Sequence, residues 1–187
     1  MTKDTKLVSS KLKNWKTYLN EYELPDWDNI PSIGLYMEQV IALLKQYLDY
    51  LPPDIKEEQF ITAATINNYV RMNIIPEPIK KKYYRIHIAY LIIVLTMKKG
   101  IAISLIQKLV PADMSEDEIR IFYEKYSSLH KKACVYFTQE VAKAGSPILN
   151  NGESGQIEVT TSEELVALSS IISGFAHLLS EKLLLLE

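Results

Sequence analysis

From Leu35 to Leu51 the apolar residues Met37, Val40, Ile41, Leu44, Tyr47, Leu48 and Leu51 recur at three- and four-residue steps, and Pro52-Pro53 closes the run. That spacing lays one apolar stripe along a helix, which the two prolines end. Thr62 then stands where it can cap a helix reaching about Met72. In that helix Ala63, Ile66, Tyr69 and Val70 fall inward, while Ala64, Asn67, Asn68 and Arg71 share the other face. Ile75-Pro76-Glu77-Pro78 cannot continue the helix, and residues 80–84 read as a short extended wing. From about Ile86 to Lys99 apolar residues nearly encircle the next helix, which predicts the centre of the unit. Gly100 stops it, and Ile103, Ile106 and Leu109 mark a short helix ending at Pro111.

Downstream, Ser115 and Glu118 form a capping box that opens a long helix lasting to about Ala144. Ile119, Phe122, Tyr126, Leu129, Ala133 and Tyr136 follow alternating three-four steps along it, the pattern of a seam between two helices. These six are the candidate dimerisation residues, because an apolar stripe of that length on a small protein calls for a cover. Residues 145–160, with Asn150-Asn151-Gly152, read as a loop. Thr161 and Glu164 make a second capping box before a last helix rich in Leu and Ile. Upstream lies a basic arm with Leu7, Leu12, Trp15 and Leu19, then a connecting segment marked by Pro25 and Pro31 that Trp27 pins to a surface groove. The prediction is all-α, in three regions: an N-terminal arm and linker (1–34), a compact helical domain (35–110), and a helical dimerisation or effector region (111–187).

Composition narrows the class. With 48% apolar and 24% charged residues the chain is an ordinary globular one. The single cysteine, Cys134, excludes an internal disulfide framework and reads as a small buried filler. His87, His130 and His177 fall in no ligand spacing, so no metal is expected. No signal-peptide stretch follows the early lysines, which points to the cytoplasm. The apolar run 86–97 is far short of the roughly 20 residues that cross a bilayer, and Ser169, Ser170, Ser173, His177 and Ser180 interrupt the run 165–180. No membrane partner is therefore expected. Six glycines leave little for a phosphate cradle, and no nucleophile motif or catalytic carboxylate pair stands out. An enzyme, or a bound cofactor, is not the expectation, and the closing Leu186-Glu187 is read as a cloning scar with no role.

Charge changes the picture most. The net charge is only -2, yet residues 62–110 hold eight Lys and Arg against one acid, Glu77. Residues 1–61 hold seven against ten, and residues 111–187 six against twelve. Within the basic segment Asn67, Asn68 and Arg71 are residue types that read base edges, and Lys80, Lys81 and Lys82 are types that hold phosphates.

The stretch ITAATINNYVRMNIIPEPIKKKYYRIHIAYLIIVLTMKKGIAISLIQKLV resembles the DNA-binding core of MerR-type transcription regulators. Ile66, Tyr69, Ile74, Ile75 and Pro76 sit at the points of its recognition helix and following turn. Lys82 and Tyr84 match the end of its wing, and Gly100, Ile103, Ile106 and Leu109 match the helix behind. The span from LPDWDNIP to about Val110 is similar to a bacterial family known as domain of unknown function 1836. The chain departs from the MerR pattern at Asn67, where an arginine is usual, at Asn73, where a glycine is usual, and in lacking the short first helix directly upstream. The resemblance implies a MerR-like winged helix-turn-helix over 35–110, followed by a long helix and a C-terminal helix. It implies Thr62, Ala64, Asn67, Asn68, Arg71, Lys80, Lys81, Lys82, Tyr84 and Arg85 on double-stranded DNA, in a homodimeric transcription regulator with room for a small-molecule effector. The alternative is a helical protein-protein interaction module that keeps the scaffold without DNA.

Overall fold

The computed structural model describes residues 17–48, 61–98 and 100–144, and Ser173. Residues 1–16 of the basic arm, the Pro52-Pro53 stop, the 145–160 loop and all of the last helix but Ser173 lie outside the described residues. Those that are described include five whole α-helices and a 3-10 turn, with short bridges and no strand among them. The helices are α1 (Met37–Tyr47), α2 (Ala63–Arg71), α3 (Arg85–Met97), α4 (Ile103–Leu109) and α5 (Glu116–Ala144). The mostly helical expectation holds, and none of these helices is long and apolar enough to cross a membrane.

The chain divides into two compact units. One takes in residues 24–128, with no division at 35 or 110, so it joins the span 35–110 to the Pro-rich segment before it and the first half of α5. Its centre is α3, where every residue from His87 to Leu95 is buried, as a helix apolar on all sides must be. Val40 and Leu44 of α1, Ile66 and Tyr69 of α2, and Ile106 of α4 complete this core.

Local sequence explains where the helices begin and end. The Thr62 hydroxyl accepts the Thr65 N–H at 3.0 Å, a cap that contributes about 1 kcal/mol. At the other end of α2, Asn73 takes a left-handed φ of 52°, Asn73 N–H reaches the Val70 carbonyl, and Ile74 N–H reaches that of Tyr69. This is a Schellman turn, with Asn73 in the place glycine usually fills. Gln107 of α4 adds its amide to the Met72 and Asn73 carbonyls, at 3.2 and 2.9 Å. The Ser115–Glu118 box forms as expected, with Ser115 N–H on Glu118 Oε2 at 2.8 Å.

Burial corrects some inward faces. Ala63 is exposed and Val70 half-buried, because α2 is only nine residues and shows the core little more than Ile66 and Tyr69. In α4 Leu105 and Ile106 are buried, while Ile103 is half-buried and Leu109 exposed. The 24–31 segment is docked firmly. Trp27 is buried beside Tyr123, ring centroids 6.1 Å apart, and the Tyr123 hydroxyl donates to the Pro25 carbonyl at 2.7 Å.

The other unit has residues 17–23 and 129–144 described. Residues 17–21 are helical, and Lys131 Nζ caps their end by donating to the Asn20 and Tyr22 carbonyls while pairing with Glu23 at 3.3 Å. Thr138 donates to Asn20 Oδ1 at 2.8 Å. Cys134 Sγ lies 3.7 Å from His130 Nδ1. Burial pushes that thiol up and that imidazole below its ordinary range, so near neutral pH the pair is uncharged, unlike an activated thiolate.

Candidate nucleic-acid interface

Two groups of the residues singled out by sequence stand on the surface of the 24–128 unit. The first is the outer face of α2. Ala64, Asn67 and Arg71 are exposed, and Asn68 is half-buried between Arg71 and Met72. Arg71 Nη2 donates to Asn68 Oδ1 at 2.6 Å, and Asn68 Nδ2 donates to Met72 Sδ at 3.4 Å. Asn68 therefore aims the guanidinium of Arg71, while Asn67 stands beside it. Thr62 is already committed as the helix cap, with its hydroxyl shared between Thr65 N–H and Thr65 Oγ1. Its role is to start the helix that carries the others.

The second group lies on a two-residue hairpin turn within the segment that sequence read as extended. Ile79 and Lys82 exchange both backbone hydrogen bonds at 3.0 Å, with Lys80 and Lys81 at the tip. Both tip residues hold left-handed backbone, φ 51° and 64°. Such a turn needs positive φ at both central positions and is usually built from Asn-Gly or similar pairs. Two lysines there cost roughly 1–2 kcal/mol each in Cβ crowding. Tyr83 returns to pair with Leu35, each N–H 2.8 Å from the other's carbonyl, which ties the hairpin to the segment before α1.

A buried histidine closes the base of this hairpin. His87 accepts the Tyr84 N–H on Nδ1 at 3.0 Å, which leaves Nε2 to donate to the Glu77 carbonyl at 2.9 Å. Both ring nitrogens are thus used within the chain.

Arg85 stands apart from the other basic residues. It was expected on phosphates, yet its side chain turns back into the protein. Nε donates to the Ile30 carbonyl at 2.8 Å, the guanidinium pairs with Asp28 at 3.4 Å, and it lies 5.8 Å over the Trp27 ring. As the first residue of α3 it fastens the 24–31 segment, because the Ile30 carbonyl and the Asp28 carboxylate give its N–H donors fixed acceptors. Tyr84 is half-buried at the start of α3 and lies against Gly34. Arg71, Lys80, Lys81 and Lys82 by contrast make no ion pair among the described residues. Their charge is available to an anionic partner.

The six seam residues divide. Ile119 is buried in the core of its own unit, Phe122 is half-buried, and the half-buried Tyr126 hydroxyl donates to Thr96 Oγ1 at 2.6 Å. These are used within the chain. Leu129 and Tyr136 are 64% and 67% exposed, and Ala133 is exposed too. The residue that sequence missed is Tyr123, wholly buried one turn after Ile119. Among the described residues no three or more His, Cys, Asp or Glu side chains are grouped so that they could hold a metal ion.

No curated protein and no solved structure matches the chain. Residues 25–128, more than half of it, match the family model described as domain of unknown function (DUF1836). The match starts at the Pro25 that Tyr123 holds and ends where the unit ends, at Ser128. The chain belongs to the DUF1836 family.

Proposed function

We propose that this protein is a DNA-binding transcription regulator. In this reading α2, the turn after it and the 79–82 hairpin act as a MerR-like winged helix-turn-helix, and two copies act together. The observation that carries it is the pairing of an Asn67–Asn68–Arg71 face at the surface with a hairpin whose two tip lysines hold a strained backbone and no ion pair among the described residues. Strain of this kind persists where function uses it. Asn67 and Arg71 meet base edges, Asn68 steers Arg71, and Lys80, Lys81 and Lys82 take phosphates. The exposed Leu129, Ala133 and Tyr136 support a seam between two copies, in place of the full six-residue stripe. The cytoplasm is the compartment that suits such work.

The test is a fluorescence-anisotropy titration of labelled duplex at several salt concentrations. Binding at about 50 mM salt that falls steeply as salt rises is the expected result. Lys81→Ala flattens the slope by roughly one unit on every duplex. Arg71→Ala costs about 1–3 kcal/mol on a site selected from random sequence, and much less elsewhere. A protein that binds no duplex at low salt overturns the reading. The exposed α5 residues then favour the second one, a helical interaction module.

A further inference from the structure

We propose that the DNA-contacting surface continues past the hairpin onto residues 33–36, where Tyr36 and Lys82 together hold a stretch of duplex phosphate backbone. The proposal rests on the DNA-binding reading above. Leu35 and Tyr83 pair in antiparallel fashion and are both buried. Alternation along extended chain therefore turns their neighbours Gly34, Tyr36, Lys82 and Tyr84 to the opposite, outer face. Gly34 makes that face possible: a Cβ there would stand 2.8 Å from Tyr84 Cζ and 3.0 Å from Lys82 Cβ. With only hydrogen at Gly34, the Lys82 side chain crosses the segment, and its ammonium rests 5.2 Å from the centre of the Tyr36 ring.

Tyr36 is 55% exposed, and Ile79, paired with Lys82 in the hairpin, is 58% exposed. The result is a cation held over an aromatic face, with the tip charges of Lys80 and Lys81 on the same hairpin. A phosphate chain fits this chemistry. Lysine ammoniums neutralise it, a tyrosine hydroxyl donates to its oxygens, and exposed ring and aliphatic surface covers sugar. Charge complementarity decides the occupant, since three consecutive lysines have no carboxylate within ion-pair distance among the described residues. The backbone N–H of Tyr36, which donates to Gln39 Oε1 at 2.9 Å, starts α1 without help from the ring. Replacing the ring thus leaves the helix start in place.

The experiment measures binding of the full chain to a random-sequence labelled duplex for wild type, Tyr36→Ala, Lys82→Ala and the double variant, with a thermal melt of each. Tyr36→Ala is expected to melt as wild type does and to weaken binding about fivefold. Lys82→Ala reduces the salt slope by roughly one unit, and the double variant binds more tightly than the product of the two losses requires. Wild-type binding that Tyr36→Ala leaves unchanged overturns the extension and leaves the DNA reading standing. No duplex binding by wild type, or retention on phosphatidylserine vesicles in its place, overturns both.

Discussion

His87 donates its Nε2 proton to the carbonyl of Glu77 across the base of the 79–82 hairpin, at 2.9 Å. The assignment follows from the other nitrogen, which faces the Tyr84 N–H and can only accept. One imidazole thus satisfies both arms of the hairpin, at a site 1% exposed. His87→Leu fills much of the same space but leaves the part-buried Tyr84 N–H and Glu77 carbonyl without their partner, a loss of roughly 1–3 kcal/mol in all. A chemical-denaturation curve should show a loss in that range. A variant as stable as wild type would show that water reaches both groups.

Two buried tyrosines predict an alkaline limit. Burial raises the Tyr90 phenol to about 12, and burial also pushes Tyr123 well above its ordinary range. A group whose folded pKa lies above its unfolded value supports the fold fully below the unfolded pKa, here about 10. That support is lost as pH rises through the folded value. Stability should therefore be flat from neutral pH to about 10 and fall steeply beyond, with Tyr123→Phe softening the fall. Tyrosinate absorbance followed through the melt checks this. Retention of full stability well above pH 10 would contradict it.

Asn73 offers a local test of the turn after α2. Its φ of 52° is one that Asn tolerates and most residues do not. Asn73→Ala should lower the melting free energy by about 1 kcal/mol, whereas Asn73→Gly should leave it unchanged or raise it slightly. Equal effects from the two would mean that backbone conformation is not what Asn73 supplies.

Those three sites also mark what the sequence made legible. Caps and periodicity speak locally, so Thr62, the Ser115–Glu118 box and the all-round apolar α3 could be read from neighbours three and four residues away. Asn73 was visible as a departure from glycine, and the structure shows it filling the same conformation. The anchoring of Arg85 could not be read because its partners, Asp28 and Ile30, lie more than fifty residues upstream. Tyr123 was missed for the same reason: its place in the core is set by Trp27 and Pro25, and no periodicity within α5 encodes them. The pairing of Tyr36 with Lys82 likewise depends on the distant bridge between Leu35 and Tyr83.

The hairpin tip allows stability and function to be separated in one variant. Lys80 and Lys81 occupy the two left-handed positions of a turn for which Asn-Gly is the favoured pair. Replacing them together, Lys80→Asn with Lys81→Gly, removes Cβ crowding at the second position and places a tolerant residue at the first. The fold should gain about 1–2 kcal/mol. The same change deletes two cations that make no ion pair among the described residues, so duplex affinity should fall and the salt slope should shrink by roughly two units. A charge-preserving control, Lys80→Arg with Lys81→Arg, should keep the slope and gain no stability. Opposite movements of melting temperature and DNA affinity in the Asn-Gly variant would mark the strain as serving the partner. A more stable variant with unchanged affinity would leave the lysines with no part in binding DNA, and the α2 face would have to carry that function alone.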